Sequence, residues 1–354
     1  MVQYYFLGGN TQTGFYSLYD SFVSQADGDF LWILKGGPGC GKSSFMKRIG
    51  AAAEKAGYDV EYVICSGDPS SLDGVYIPEL HTAYMDGTAP HVADAHFPAA
   101  DSAYLDLGVF YDIPAISQRR NELTGLYAEC AACHAKAYAM LRAAGSVKTG
   151  WQGALTTEDE RSSALLRAEG IAAREFGKRR RERGQLTRRF LSAISCFGPA
   201  SFPETASALC DHFFVFDDRL LLGSLALQKL ADCALEAGHD VLLCPDPLTP
   251  ELPEAVLVPS LSLGFIVSSS ELAQLDGTRR VRFDALVETE RFRALKPELR
   301  QSEKLVSELK TAAMASLAKS KATHDLIEDI YNPHVDFDGV YALARKHIND
   351  LGLA

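Results

Sequence analysis

Apolar residues along this chain follow two alternating rhythms. Phe30-Leu31-Trp32-Ile33-Leu34 is an unbroken apolar run of strand length. Ser44 to Lys55 then carries Phe45, Ile49 and Ala52 or Ala53 at helical spacing, and Gly57 stops it. Tyr4 to Leu7, Asp59 to Cys65, Val75-Tyr76-Ile77 and Thr82-Ala83-Tyr84-Met85 read as further short strands. Gly8-Gly9-Asn10-Thr11 reads as a turn, and Ser66 to Asp73 as a polar connection with room for a short helix. Strands alternating with helical stretches predict an α/β fold built on a parallel sheet. From about Pro114 to Arg189, Ala, Leu, Glu and Arg dominate, and only residues 145–157 break the helical run. Two or more long helices are expected there, as a hairpin standing off the sheet.

The second half repeats this pattern in weakened form. Shifted by 181 residues, Ala56-Gly57-x-Asp59-Val60 falls on Ala237-Gly238-x-Asp240-Val241, and Val75, Pro78 and Leu80 fall on Val256, Pro259 and Leu261. Shifted by 184, Phe6-Leu7 and Gly14 fall on Phe190-Leu191 and Gly198. The expected organisation is an α/β domain over 1–113, a helical segment over 114–189, a second α/β copy over 190–284 and a helical segment over 285–354.

Between the core strand and its helix lies Gly36-Gly37-Pro38-Gly39-Cys40-Gly41-Lys42-Ser43, which has the G-x-x-x-x-G-K-S spacing of a phosphate-binding loop. Glycines let backbone N–H groups turn inward to cradle phosphate oxygens, and the helix N-terminus adds partial positive charge. The expected nucleotide-binding residues are Gly36, Gly37, Pro38, Gly39, Cys40, Gly41, Lys42, Ser43 and Ser44. Lys42 would stabilise the transferring phosphoryl group of ATP, and Ser43 would hold Mg²⁺. Asp86, ending an apolar strand, is the expected second metal ligand, with Asp68 and Asp73 as rivals. Asp68 or Asp73 could also orient the attacking water or meet an acceptor substrate, although turn or helix-cap roles are common for both. His91, in Thr88-Ala89-Pro90-His91, is a candidate for the γ-phosphate or acceptor side, against a plain surface-loop role.

The repeat is informative where it fails. Gly36, Gly37, Gly41 and Lys42 fall on Asp217, Asp218, Leu222 and Gly223, and Asp86 falls on Val267. The second copy therefore lacks the lysine, the glycine cradle and the metal carboxylate together. It puts two acids where phosphate oxygens would sit, and like charges at ~4 Å repel by about 1 kcal/mol even in bulk water. One working site and one degenerate half are expected.

The bulk numbers narrow the class. The 354 residues suit about two domains, and 47% apolar with 23% charged content is that of a globular protein. A net charge of −11 argues against sequence-independent nucleic-acid binding as the main task. The first residues show no basic n-region, and no run of ~18 apolar residues occurs, so a cytoplasmic protein with reduced thiols and no membrane span is expected. Cys130-Ala131-Ala132-Cys133-His134 matches the haem-attachment pattern, but its alanine-rich helical setting favours cysteines packed on a helix. Lys178-Arg179-Arg180-Arg181-Glu182-Arg183, with Arg188 and Arg189, reads first as a solvated helix face. A nucleic-acid or acidic-partner contact, or an arginine reaching the γ-phosphate from the helical segment or a second subunit, are its alternatives. Ala312 to Lys321 reads as an amphipathic helix.

Tyr5-Phe6-Leu7-Gly8-Gly9-Asn10-Thr11, the loop Lys35 to Ser43, Asp68-Pro69-x-x-Leu72-Asp73-Gly74-Val75 and Asp86 to His91 together resemble a family of bacterial two-repeat P-loop ATPases. The resemblance covers most of the chain and implies a P-loop NTPase fold and ATP as ligand. In fuller members the second repeat also carries a P-loop, from which Asp217 to Gly223 departs. Three functions follow as expectations: Mg²⁺-dependent ATP hydrolysis at one site, a small-molecule kinase using the same loop, or a non-catalytic ATP-dependent scaffold that signals to a protein partner through its helices.

Overall fold

A computed structural model describes residues 1–23, 28–89, 92–177, 182–275 and 277–353. In the first half the chain forms β1 (Val2–Tyr5), the hairpin β2 (Gly8–Thr11) and β3 (Gly14–Ser17), β4 (Phe30–Lys35), α1 (Lys42–Lys55), β5 (Val60–Ile64), β6 (Leu72–Ile77), β7 (Thr82–Asp86) and β8 (Ser102–Asp106). Helices α2 (Ile113–Ser117), α3 (Arg120–Gly145) and α4 (Glu158–Glu175) follow. The second half forms β9 (Leu186–Arg188), the hairpin β10 (Ser192–Ser195) and β11 (Gly198–Ser201), α5 (Pro203–Leu209), β12 (His212–Phe216), α6 (Leu222–Ala237), β13 (Val241–Pro245), β14 (Pro253–Val258), β15 (Leu263–Val267) and β16 (Arg279–Val281). It ends with α7 (Thr289–Tyr331) and α8 (Phe337–Asp350).

The two large sheets have one topology: β1-β5-β6-β7-β4-β8 and β9-β13-β14-β15-β12-β16. They are mixed rather than parallel, because β6 and β14 run antiparallel to both neighbours. The connections explain this. Residues 65–71 and 78–81 are too few for a crossover, so β6 joins β5 and β7 as hairpins. The turn expected at Gly8–Thr11 is strand β2, paired with β3 around a bend that ends at Gly14, φ +101°. The segment expected to be helical up to Arg189 yields its last residues to β9, an edge strand of the second sheet. The two halves meet at a reciprocal backbone pair at equivalent residues. Phe6 N–H donates to Phe190 O at 2.8 Å, and Phe190 N–H donates to Phe6 O at 3.0 Å.

The long helices do not stand off the sheet as a hairpin. Residues 146–152 form a π-helical turn and 153–155 a 3-10 turn, which redirect the chain between α3 and α4. Helix α3 lies antiparallel along α7: Leu123 meets Ile327 and Ile330, while Ala137, Leu141 and Ala144 meet Ala313 and Leu317. Small residues let the two backbones approach. Ser316 Oγ donates to Cys133 O at 2.9 Å, and Cys130 Sγ donates to Ser320 O at 3.5 Å. The haem-like cysteines are thus part of this seam, and all eight cysteines are free thiols. Helix α4 packs on α6 with Ala164, Ala168, Ile171 and Ala172 buried against Leu227, Leu230 and Ala231. Helix α8 packs on α1, where His347 sits edge-on to Trp32, Phe45 and Tyr84. Each half is therefore covered by the last helix of the other. Arg189 is buried and donates to Ser21 O and Phe22 O, so it does not belong to a solvated basic face; residues 178–181 lie outside the described residues. Among the described residues no helix is long and apolar enough to cross a membrane.

Leu141 is fully buried in a cluster drawn from α3, α7 and β10. Leu141→Ala is expected to cost about 2–5 kcal/mol of stability. Because the cluster spans both halves, urea unfolding followed by circular dichroism should stay a single transition with a lower midpoint.

Candidate functional site

The site is built where β4 hands over to α1. Residues 36–41 bridge them through three glycines with positive φ: Gly36 at +146°, Gly39 at +71° and Gly41 at +90°. An L side chain is strained in these conformations. Gly41 is also the N-cap of α1, with no side chain capping the helix start. The first-turn N–H groups of α1 therefore have no carboxylate of their own, and the positive end of the helix faces the loop.

Lys42 folds back over this loop. Its Nζ donates to Gly36 O at 2.7 Å and Gly37 O at 3.0 Å, and lies 3.6 Å from Asp86 Oδ2. Asp86 ends β7, in register with Leu34 of β4, so the sheet itself brings the carboxylate beside the loop. Its Oδ1 accepts from Thr88 N at 2.9 Å and Thr88 Oγ1 at 2.6 Å, which leaves Oδ2 facing the lysine. Ser43 Oγ accepts from Leu72 N at 3.0 Å, which fixes the hydroxyl at the start of α1. Ser44 is exposed on the first turn, and Cys40 is buried under the loop with its Sγ 3.8 Å from Lys42 Nζ. Burial pushes the Cys40 thiol up, with Lys42 pulling the other way, so it is not an activated thiolate.

The loop is enclosed by residues the sequence could not place there. Tyr111 OH donates to Pro38 O at 3.1 Å and lies where a Cβ on Gly37 would point, at 3.0 Å. A Cβ on Gly39 would fall 2.5 Å from Asn332 Oδ1, and one on Gly41 3.3 Å from Val340. Asn332 comes from the α7–α8 junction and Val340 from the first turn of α8, both in the second half. This junction is tied to the first half at Tyr111 and Val335, with Asp112 N–H donating to His334 O at 2.8 Å and Asp336 N–H to Phe110 O at 2.9 Å.

Asp68 has another occupation. Its Oδ1 accepts from Ser70 N at 3.0 Å and Ser70 Oγ at 2.6 Å, and its Oδ2 lies 3.3 Å from Lys321 of α7. Burial raises its pKa, but the Ser70 hydrogen bonds and Lys321 outweigh that and leave it below the ordinary carboxylate range. The second half repeats the arrangement: Asp246, in the matching Asp-Pro turn, accepts from Thr249 N at 2.8 Å and pairs with Lys148 at 2.5 Å. The lysine comes from the opposite half in both cases, which explains Asp68 as a cross-half tie. Asp73 is buried in β6 and accepts from Tyr19 OH at 2.9 Å. His91 lies outside the described residues.

The second loop has gone the other way. Only the five residues 217–221 join β12 to α6, and the left-handed position is Leu221, φ +58°. Asp218 is buried and turns its carboxylate onto the start of α6: Ser224 N and Ser224 Oγ both donate to it at 2.7 Å. Ser224 stands where Ser43 does in the repeat. Gly223 replaces the lysine, and a Cβ there would lie 2.7 Å from Asp217 O and 3.0 Å from Asp218 Oδ1. A side chain at position 223 would meet that backbone carbonyl and the Asp218 carboxylate. The two acids also avoid the repulsion expected between them by finding separate partners, since Asp217 pairs with Arg280 at 2.6 Å. Burial raises Asp218 to about 6, offset in part by the Ser224 hydrogen bonds.

Nearby, Glu254 is buried, and among the described residues Ser192 Oγ at 2.7 Å and Ser270 Oγ at 2.9 Å are its hydrogen-bond donors; burial lifts it to about 8. A carboxyl raised in the folded state binds its proton more tightly there than in the unfolded chain. Its stabilisation is therefore complete at low pH and lost as pH rises from about 4.5 through 8. Glu254→Gln keeps the shape and removes the ionisation. It is expected to raise the melting temperature at pH 9 and to change it little at pH 5, read by differential scanning calorimetry. No protein-family model, curated protein or solved structure matches this chain.

Proposed function

We propose that the chain is a P-loop protein that binds ATP with Mg²⁺ at residues 36–44 and hydrolyses it at this single site. The observation that carries the reading is the contrast between the two loops. The first keeps three left-handed glycines, an uncapped helix start and Lys42 over the loop carbonyls, 3.6 Å from Asp86. In the second, Asp218 takes the helix start for itself.

The chemistry follows from the residues present. Backbone N–H groups at the start of α1 meet phosphate oxygens with the helix dipole behind them. Lys42, held among the described residues by two carbonyls, the Cys40 sulfur and one carboxylate, exchanges those contacts for the β- and γ-phosphates and neutralises the charge that builds during transfer. Ser43 and Asp86 fit a hard cation: both offer oxygen, both sit at the loop, and Asp86 Oδ2 is taken up by no hydrogen bond among the described residues. Ser43 and Asp86 would hold the ion, which would supply positive charge against the phosphate oxygens.

Isothermal titration of ATP with Mg²⁺ tests this. Lys42→Ala is expected to weaken binding tenfold or more, and Asp86→Asn to abolish the Mg²⁺ dependence of ADP release; wild-type affinity in Lys42→Ala would overturn the proposal. Release of ADP with water as the sole acceptor separates hydrolysis from kinase activity. If Asp68 serves as the cross-half tie, Asp68→Asn should lower the melting temperature while turnover stays within about threefold.

A further inference from the structure

The geometry points to Asn332 as a residue that reads the terminal phosphate from the opposite half of the chain, an inference that rests on the nucleotide reading above. Asn332 directly follows α7, and its side chain approaches the middle of the loop at Gly39, its Oδ1 lying 2.5 Å from where a β-carbon would stand. It is exposed, and its amide makes no hydrogen bond among the described residues. An amide offers two N–H donors at one end and a carbonyl at the other, and rotation about its last torsion exchanges them. Here the carbonyl end lies nearest Gly39; toward an anion the amide turns its NH₂ end.

The location sets what that donor meets. A loop of this shape encloses one phosphate with its own backbone, so a side chain entering from outside reaches the phosphate that projects beyond it. Groups supplied by a separate element to that position stabilise the transferring phosphoryl, as arginine fingers do. A neutral amide is a weaker version of the same device.

The degenerate half gives independent support. At the helix junction of the first half, Gln152 ends the π-helical turn after α3, one residue before Gly153, which opens the following 3-10 turn as Asn332 opens the one after α7. Its amide reaches the second loop and donates to Arg219 O. The same kind of side chain, from the helix junction of the other half, thus touches both loops. It is spent on backbone where the loop is closed, and left free where the loop is open.

The test measures ATP and ADP binding in the presence of Mg²⁺ for wild type, Asn332→Ala, Asn332→Asp and Lys42→Ala, with thermal melts as a folding check. Asn332→Ala is expected to lose about tenfold in ATP affinity with ADP affinity within twofold. Asn332→Asp, which brings a negative charge to the terminal phosphate, should lose more for ATP than Asn332→Ala. Equal losses for both nucleotides would mean a structural role and overturn the inference, as would wild-type discrimination in both Asn332 variants. If Lys42→Ala binds ATP like wild type, the nucleotide reading falls and this inference with it. If only Lys42→Ala loses binding, the nucleotide reading stands and Asn332 is excluded.

Discussion

Neither sheet in this protein finishes its own core. Helix α1 leaves an apolar face that α8 covers, and α6 leaves one that α4 covers, so each half is closed by a helix that follows the other sheet. The seam between α3 and α7 and the reciprocal Phe6–Phe190 backbone pair fix the halves against each other. Each fully buried leucine on these faces, such as Leu227 or Leu230, contributes about 1.5–3 kcal/mol. A half on its own would expose them. The exchange therefore holds the two halves as one cooperative body, and it delivers residues from each half to the loop of the other.

That delivery accounts for how the two loops diverged. At the first, the visiting junction brings Asn332 above Gly39 while Lys42 remains the cation of the loop itself. At the second, the charges are reversed. The loop supplies the acid, Asp218, and the helix junction of the other half supplies the cation, Lys148, whose nearest acid is Asp246. Burial pulls the pKa of Lys148 down, but Asp246 overrides it and leaves the lysine raised, while Asp246 itself is lowered. Asp218 thus sits where the helix dipole favours negative charge, with Lys148 nearby. At the second loop the helix start is occupied by the chain's own carboxylate.

The cross-half ties give the helices a part in whatever happens at the first loop. Lys321 on α7 holds Asp68, and residues 332–336 are stitched to 110–112 by backbone hydrogen bonds. Gly39 and Gly41 lie close against Asn332 and Val340, so the loop is packed against α7 and α8.

What could be seen in the residues alone was local chemistry. Glycines at 36, 39 and 41, then Lys42 and Ser43, announce a strained loop opening a helix, because backbone strain and helix capping are decided within a few residues. The loss of lysine and glycines at 217–223 was legible for the same reason, and so was the repeat, since buried positions keep their spacing. Partners distant in the chain were not legible. An apolar face on α3 or α8 shows that something must cover it but not what, and the hairpin expected for 114–189 is instead two helices docked on the other half. The antiparallel course of β6 followed from connection lengths, yet the alternating pattern is identical for either direction. Asn332 above Gly39, Lys321 on Asp68 and Asp218 on Ser224 came only from the folded chain. Hydrophobic burial has no direction, so it is the competition among all faces at once that selects which pairs meet.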